Sequence, residues 1–180
     1  EFGLLCLQQA DRIAWLLGGS VDHFFFTLAS ETKSRPTKLV AQSFYQNAQW
    51  YQITATYDGQ QQKIYVDGKL VGEAFEQRGD LLQPNASELQ VGVLPASNGN
   101  HKVPRLFSGQ IGAIRVWNRA LKANEIKASF ATDQSIYPGA LATFNNDPDW
   151  PTFGHDNHRS RRAGSQPCLL YTSDAADDQA

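Results

Sequence analysis

The sequence contains no methionine, and only Cys6 and Cys168 of its 180 residues are cysteines. Two cysteines cannot supply the several disulfides of a small secreted scaffold, so the fold must rest on a hydrophobic core. No apolar run approaches the roughly 20 residues of a membrane-spanning helix, which argues against membrane insertion. The formal net charge of −2 leaves no basic excess of the kind that nucleic acids and anionic membranes attract.

Helical periodicity is nearly absent as well. It is found only in residues 122–130, where Ile126 and Phe130 are four residues apart. Short segments with apolar and polar residues in alternation recur about every ten residues instead, which is typical of an antiparallel β-sandwich. The predicted strands, apart from those of residues 50–74, are residues 2–7, 12–17, 23–29, 38–43, 89–94 and 107–118. Residues 31–37 are polar and contain Pro36, so they are predicted to form a loop.

Residues 50–74 carry the clearest local signal. They read WYQITATYDGQQQKIYVDGKLVGEA, three short alternating runs separated by Asp58-Gly59 and Asp67-Gly68. Asp-Gly between alternating runs predicts a tight hairpin, because both central residues of a type I′ turn need a positive φ. The stretch is therefore predicted to be a three-stranded antiparallel meander with one buried face.

Three segments in order resemble the LamG-like jelly-roll family of the concanavalin A-like lectin/glucanase superfamily. They are WYQITATYDG, KIYVDGKLVG and FSGQIGAIRVWNRALKANEI. The resemblance implies an all-β, antiparallel jelly-roll sandwich with one short helix near its C-terminal end. The acidic pair usual in the family's closing strand is replaced by Gly112-Ala113. The family's opening strands are not found, so we expect the domain to be truncated at its N-terminus.

The remainder of the chain differs in composition. We expect the jelly-roll domain to span residues 1–131 and a linker to span residues 132–148. Residues 149–160, DWPTFGHDNHRS, resemble the lead-in to quinoprotein-like (PQQ-binding-like) β-propellers, so residues 149–167 are predicted to be the stub of a second domain. Residues 168–177, CLLYTSDAAD, resemble translated sequencing-adaptor read-through, and residues 168–180 are therefore predicted to be a non-native tail.

No catalytic site is predicted. Retaining glucanases of the superfamily carry an E-x-D-x-x-E signature on one strand, and alternate residues of a strand share a face, so that two of the acids can flank the scissile bond. The nearest acids here are Glu73 and Glu76, with Asp80 beyond a glycine. They lie at a strand end and in a loop with no third acid in phase, and a solvated loop is the preferred interpretation.

Ligand-binding residues are sought on an outward ring and in the long loops. Tyr65 alternates with Ile64 and Val66, so its ring is predicted to point outward, where rings can stack on sugars. Jelly rolls of this kind often hold Ca²⁺ at a loop rim with oxygen ligands, for which Asp80, Asn98 and Asn100 are the candidates. The predicted ligand-binding residues are Tyr65, Asn85, Asn98, Asn100 and His101. Asp58 and Asp67 are better explained by turn formation, and Trp50 and Trp117 by core packing.

These features favour a non-catalytic binding or adhesion module of a secreted or surface protein, with a glycan or an extracellular protein as its ligand. By the resemblance, we expect it to be extracellular, at the cell surface or periplasmic, and to be followed by further domains. The alternatives are an accessory domain of a carbohydrate-active or quinoprotein-like enzyme, and a structural spacer.

Overall fold

The computed structural model describes residues 1–9, 12–82, 88–96, 103–136 and 171–174. The chain forms short strands and one α-helix, as the alternating pattern predicts. The strands are β1 (Phe2–Gln9), β2 (Arg12–Ser20), β3 (His23–Ser30), β4 (Lys33–Phe44), β5 (Gln49–Tyr57), β6 (Gln62–Val66), β7 (Lys69–Ala74), β8 (Glu88–Val91), β9 (Val93–Leu94), β10 (Arg105–Leu106), β11 (Gln110–Ala113) and β12 (Tyr171–Asp174). The helix is α1 (Ala123–Ile136), which precedes β12 in the chain.

Two five-stranded sheets make up the body of the domain. The first has the strand order β4-β3-β2-β1-β8 and the second the order β11-β12-β5-β6-β7, while β9 and β10 pair as a small separate ribbon. All the strand pairs are antiparallel, and β1 to β4 follow one another as neighbours. This arrangement confirms the predicted antiparallel β-sandwich with one short helix.

The core lies between the two sheets. Strand alternation directs Leu17, Phe26 and Leu39 of the first sheet and Ile53 and Ile64 of the second into one buried cluster. On the opposite face of the first sheet, Cys6, Leu16 and Phe25 form a smaller buried cluster with Leu94. The first sheet is therefore apolar on both faces over part of its width.

The two predicted Asp-Gly turns differ from each other. Asp67 and Gly68 have φ values of 51° and 72° and close a two-residue loop between the paired Val66 and Lys69, as predicted. The loop after β5 runs over residues 58–61, because Tyr57 pairs with Gln62. Only Gly59 has a positive φ there, so the type I′ prediction is wrong for this turn.

Three strand boundaries also differ from the prediction. The predicted loop at residues 31–37 is wrong, because β4 begins at Lys33 and runs through Pro36. Proline is tolerated there because β4 is the edge strand of its sheet. The alternating run 89–94 is divided into β8 and β9 at Gly92, whose φ is 68°. Within the predicted strand 107–118, β11 occupies only four residues.

The helix extends past the boundary predicted at residue 131, to Ile136. It contains the predicted pair Ile126 and Phe130, and none of the described helices is long and apolar enough to cross a membrane. The rest of the predicted linker and the propeller-like stub lie outside the described residues. Four residues of the predicted non-native tail form β12, which lies between β5 and β11.

Candidate functional site

The first predicted ligand contact, Tyr65, is buried. It alternates with the core residues Ile64 and Val66 and therefore lies on the outer face of the second sheet, as its pattern indicates. That face is covered, however, because Leu121 and Ile126 from the helical segment pack against the ring and leave Tyr65 only 4% exposed. The predicted outward direction is therefore correct, but the prediction that the ring is available for ligand contact is wrong, because of a tertiary contact that strand alternation cannot reveal.

The remaining predicted loop residues have different outcomes. Asn85, Asn98, Asn100 and His101 lie outside the described residues, so their roles stay predictions. Asp80 is exposed, and its carbonyl oxygen accepts a hydrogen bond from the N–H of Glu31 over 3.0 Å. The described part of the chain holds no group of three His, Cys, Asp or Glu side chains placed to bind a metal ion.

Asp58 and Asp67 have the turn-forming roles that were predicted for them. One carboxylate oxygen of Asp58 accepts the N–H groups of Gln60 and Gln61, at 2.9 and 2.7 Å. The carboxylate of Asp67 accepts the N–H of Gln52 over 2.9 Å, and the N–H of Asp67 donates to the Gln52 carbonyl over 2.8 Å. Burial raises the pKa of Asp67, and the hydrogen bond from Gln52 opposes that shift.

Trp50 and Trp117 pack against other residues of the domain. The six-membered ring of Trp50 lies against Gly112, where a Cβ atom would come within 3.2 Å of it. Gly112 therefore makes room for that ring, which gives a structural reason for glycine at this departure from the family pattern. Trp117 packs against the cluster of Tyr65, Leu121 and Ile126. These contacts agree with the preference for core packing over sugar contact.

An exposed row of side chains lies on the outer face of the first sheet, along the edge strand β4. We call it the Phe44 strip and define it as Lys38, Val40, Gln42 and Phe44 of β4 together with His23 of β3. Leu39 and Ala41 point into the core, so the alternate residues of β4 point outward. Phe44 is 72% exposed, and together with the half-exposed Val40 it makes part of the outer face of β4 apolar.

Phe44 is held in place by its neighbour across the strands. His23 pairs with Phe44 in the register of β3 and β4, and the two ring centroids are 4.5 Å apart at an interplanar angle of 53°. The Nδ1 atom of His23 donates a hydrogen bond to the Asp22 carboxylate over 2.5 Å. The exposed ring therefore lies against an imidazole that is itself hydrogen-bonded to a carboxylate, and both are kinds of group that hydrogen-bond hydroxyls.

The turn beside this ring is strained. Val21 and Asp22 form a two-residue loop between β2 and β3, and Val21 has φ 54°, a region that a β-branched residue rarely adopts. Tyr45 stabilises it: its hydroxyl donates to the Val21 carbonyl over 2.7 Å, and its N–H donates to the Asp22 carbonyl over 2.8 Å. The Tyr45 ring is itself buried and stacked on Phe24, with centroids 4.7 Å apart. Strained residues of this kind are concentrated at functional sites.

The other end of the strip is charged. The Lys38 Nζ atom lies 2.6 Å from the Glu1 carboxylate and 3.9 Å from the centroid of the Phe25 ring. Both partners of the ion pair are partly exposed, so its contribution to stability is small. The Phe44 strip thus runs from a cation at Lys38 to an aromatic ring and an acid near Phe44.

The signal for this strip was present in the sequence. Residues 38–43 were predicted as a strand, and extending the alternation by one residue places Phe44 on the polar, outward side of KLVAQSF. A phenylalanine that continues the outward row of Lys38, Val40 and Gln42 is the sequence signal for the strip. The pairing of Phe44 with His23 could not be predicted, because it depends on a register shift between His23 and Phe25.

Comparison with known proteins agrees with this architecture. Residues 6–127, more than half of the chain, match a laminin G-type family described as the concanavalin A-like lectin/glucanases superfamily. The chain belongs to this superfamily.

Two curated relatives of the chain are Pappalysin-1 proteins. The chain is 30% identical over 135 residues to Pappalysin-1 of Mus musculus, which covers 71% of this chain and 8% of that protein. It is 32% identical over 109 residues to Pappalysin-1 of Homo sapiens, which covers 61% of this chain and 6% of that protein. The chain therefore spans less than a tenth of the length of these relatives.

Superfamily membership directs attention to the acids beside β7. The strand carries Glu73, whose carboxylate accepts a hydrogen bond from the Gln61 side-chain amide over 2.7 Å, and Glu76 follows the strand. Both are exposed. The carboxylate of Glu73 thus has a solvated surface partner rather than a second buried acid beside it.

Proposed function

We propose that the chain is a non-catalytic carbohydrate-binding module of a larger secreted or cell-surface protein, and that the saccharide lies on the Phe44 strip. The observation that carries the proposal is the Phe44 ring, exposed on a rigid sheet and fixed against His23. Rings in this position offer a flat apolar face to the C–H groups of a sugar. The surrounding polar groups are suited to its hydroxyls.

The strip combines several kinds of contact within one sheet face. Phe44 and the half-exposed Val40 provide the apolar surface. The Gln42 amide can both donate and accept hydrogen bonds, and the Asp22 carboxylate accepts them. Because these residues lie on or next to paired strands, little conformational entropy is lost when they bind.

The larger protein is inferred from the relatives. A region that corresponds to only 8% and 6% of the two Pappalysin-1 chains is, in our proposal, one module among several. Such a module would deliver the parent protein to a surface or substrate rather than carry out chemistry. We also propose an extracellular location, in keeping with the resemblance to the LamG-like family; an accessory role in a larger enzyme remains the alternative.

A protein ligand is the second candidate function, and Val21 favours it. This residue is 87% exposed in the turn that precedes His23, the strand partner of Phe44. Exposed aliphatic surface is more useful for protein contacts than for sugars. The first candidate takes precedence because the strip also contains the polar side chains of Gln42 and His23, and Asp22 is hydrogen-bonded to His23.

A polysaccharide pull-down and a glycan array test the proposal. The wild-type domain is compared with Phe44→Ala and with Leu106→Ala, a matched control that removes an equally exposed apolar side chain outside the strip. We expect the wild type and Leu106→Ala to retain a glycan, and Phe44→Ala to lose more than about tenfold in affinity. Glycan retention unchanged in Phe44→Ala, or absent in the wild type, would reject the proposal.

Repeating the same experiment with EDTA tests whether the predicted calcium ion contributes to glycan binding. If Ca²⁺ held by Asp80, Asn98 and Asn100 contributes to binding, EDTA weakens retention and added Ca²⁺ restores it. We propose that the Phe44 strip acts without the ion, since none of the three predicted calcium ligands belongs to the strip. If the wild type still retains the glycan in EDTA and the Phe44→Ala variant does not, binding depends on the Phe44 strip and not on the predicted calcium site.

A further inference from the structure

The two edge strands of the first sheet, β4 and β8, differ in how they are protected against pairing with a further strand. Strand β4 contains four residues that disfavour pairing with a further strand: Lys33, Arg35, Pro36 and Lys38. The backbone of β7 also approaches β4, since a Cβ atom at Gly72 would lie 3.2 Å from the Val40 carbonyl oxygen. Lysine, proline and a covering strand are standard devices that prevent edge-to-edge pairing.

The β8 edge has a different character. Leu89 and Val91 pair with Leu7 and Leu5 of β1 and so lie on the core-facing side of the sheet. Even so, they are 46% and 39% exposed. Next in the chain, the β9–β10 ribbon adds a third exposed aliphatic residue, Leu106. This side of the sandwich is therefore open and apolar.

The main chain of β8 is also oriented for pairing. The N–H of Gly92 donates to the Leu4 carbonyl over 2.9 Å, so Leu5 and Val91 form a non-hydrogen-bonded pair of the antiparallel ladder. In such a pair the N–H and C=O groups point away from the neighbouring strand. The same holds for Leu89, two residues earlier, and among the described strands no partner lies on that side.

We propose that β8 is a strand-acceptor site, at which an extended peptide from a partner protein adds to the first sheet next to Leu89 and Val91. The partner is a polypeptide because outward donors and acceptors repeating along a strand match another strand. Its side chains alternate, with aliphatic residues on the core-facing side over Leu89 and Val91 and polar residues on the other. This site is separate from the Phe44 strip, at the far edge of the same sheet.

A designed peptide tests the site. The probe is an acetylated and amidated peptide of alternating threonine and valine flanked by lysines. Amide hydrogen exchange in the complete chain is measured with and without it. We expect exchange at Leu89 and Val91 to slow by about tenfold or more at saturation, while the amides of β4 stay unchanged.

A second peptide separates strand addition from mere apolar contact. It has the same side chains but carries N-methyl groups on alternate residues, so that one edge cannot donate hydrogen bonds. Strand addition predicts that binding is lost in this form. Equal binding of the methylated peptide, or no protection at Leu89 and Val91 with either peptide, overturns the proposal.

Two variants complete the test. Leu89→Pro removes the outward N–H and is tolerated at an edge, where that group has no partner among the described strands. Val91→Lys places a charge on the apolar side. Both are expected to abolish peptide binding, and Leu70→Lys on β7, the edge strand of the second sheet, is expected to keep it. Protection of Leu89 and Val91 that needs no peptide and increases with protein concentration would mean that a second copy occupies the edge, which also overturns the proposal.

Discussion

The hydroxyl of Tyr45 donates a hydrogen bond to the carbonyl oxygen of Val21 across 2.7 Å. This bond holds the β2–β3 turn in a conformation that its own sequence disfavours, since Val21 has φ 54°. Without such a restraint, a β-branched residue in this region would relax. The position of the turn beside Phe44 thus depends on a side chain more than twenty residues away in the chain.

Tyr45→Phe tests this dependence. The variant keeps the ring that stacks on Phe24 but removes the hydrogen bond, so we expect a loss of about 1 kcal/mol in the free energy of unfolding. Amide exchange in the β2–β3 turn should accelerate more than exchange in the core strands. Equilibrium urea unfolding measures the first effect, and hydrogen exchange resolved by residue measures the second.

Val21→Gly is the matched variant for the turn. Glycine adopts the positive φ without steric strain, so in the Tyr45→Phe background it should recover part of the lost stability. A double-mutant cycle gives the coupling between the two positions. Additive effects would contradict the idea that Tyr45 stabilises the strained turn.

A comparison of two phenylalanines tests the assignment of the Phe44 strip. Phe44 is largely exposed and Phe25 is buried, although both lie on the outer face of the first sheet. We expect Phe44→Ala to change the free energy of unfolding by no more than about 0.5 kcal/mol, and Phe25→Ala to cost about 3–5 kcal/mol. Thermal and urea denaturation measure both; a large loss in Phe44→Ala would mean that the ring is structural.

The sandwich itself could be predicted from the sequence because alternation has a period of two and depends on local residues alone. The same alternation placed Tyr65 on the outer face of the second sheet, but it could not show that Leu121 and Ile126 cover it. Such contacts join residues more than fifty positions apart. The Phe44 strip was missed because the predicted strand ended at residue 43, one residue before Phe44, and because the pairing of Phe44 with His23 depends on a register shift.

A buried glutamine holds the segment after β7 against the first sheet. The Gln77 side-chain oxygen accepts from the N–H and the hydroxyl of Ser30, at 3.0 and 2.8 Å. Its amide donates to the Arg35 carbonyl and the Thr37 hydroxyl, at 2.9 and 2.8 Å. These four bonds connect the segment to the β3–β4 hairpin, and an unpaired buried group here would be costly.

Gln77→Ala is therefore expected to lower the free energy of unfolding by about 2–3 kcal/mol and to speed amide exchange at Asp80 and its neighbours. Gln61→Ala is the control, because Gln61 makes its hydrogen bond to Glu73 at the surface. The free energy of unfolding of that variant should lie within about 0.5 kcal/mol of the wild-type value. Equal effects of the two substitutions would show that the hydrogen bonds of Gln77 contribute no more to stability than the surface hydrogen bond of Gln61.

The start of α1 is expected to depend on pH. The Arg119 guanidinium forms two hydrogen bonds with the Glu125 carboxylate, at 2.9 and 2.7 Å, and the N–H of Lys122 donates to the same carboxylate over 2.8 Å. Together they lower the pKa of Glu125 to about 2 from its ordinary value of 4.5. This is the carboxylate half of a helix capping box, with Glu125 at the third helical position.

The sign of the pH effect follows from that shift. A carboxyl group whose pKa is lower in the folded state contributes stability above its unfolded pKa, and the contribution is lost as the pH falls through the folded pKa. Amide exchange protection in the first turn of α1 should therefore be constant above about pH 5 and decrease between pH 4.5 and 2. In Glu125→Gln this dependence should disappear, since the amide does not titrate. A first turn that loses protection equally in both proteins would locate the acid sensitivity elsewhere.

The thiol of Cys6 provides a probe of the buried face of β1. Burial raises its pKa to about 12, and it packs against Leu16 and Phe25. A thiol reagent attacks the thiolate, which is scarce at pH 8 for such a group. In a Cys168→Ser background, where Cys6 is the remaining cysteine, labelling in native buffer should be negligible over hours and become complete in denaturant. The labelling rate at intermediate urea concentrations then reports the opening of this face, and rapid labelling of the native protein would show that β1 is not covered there.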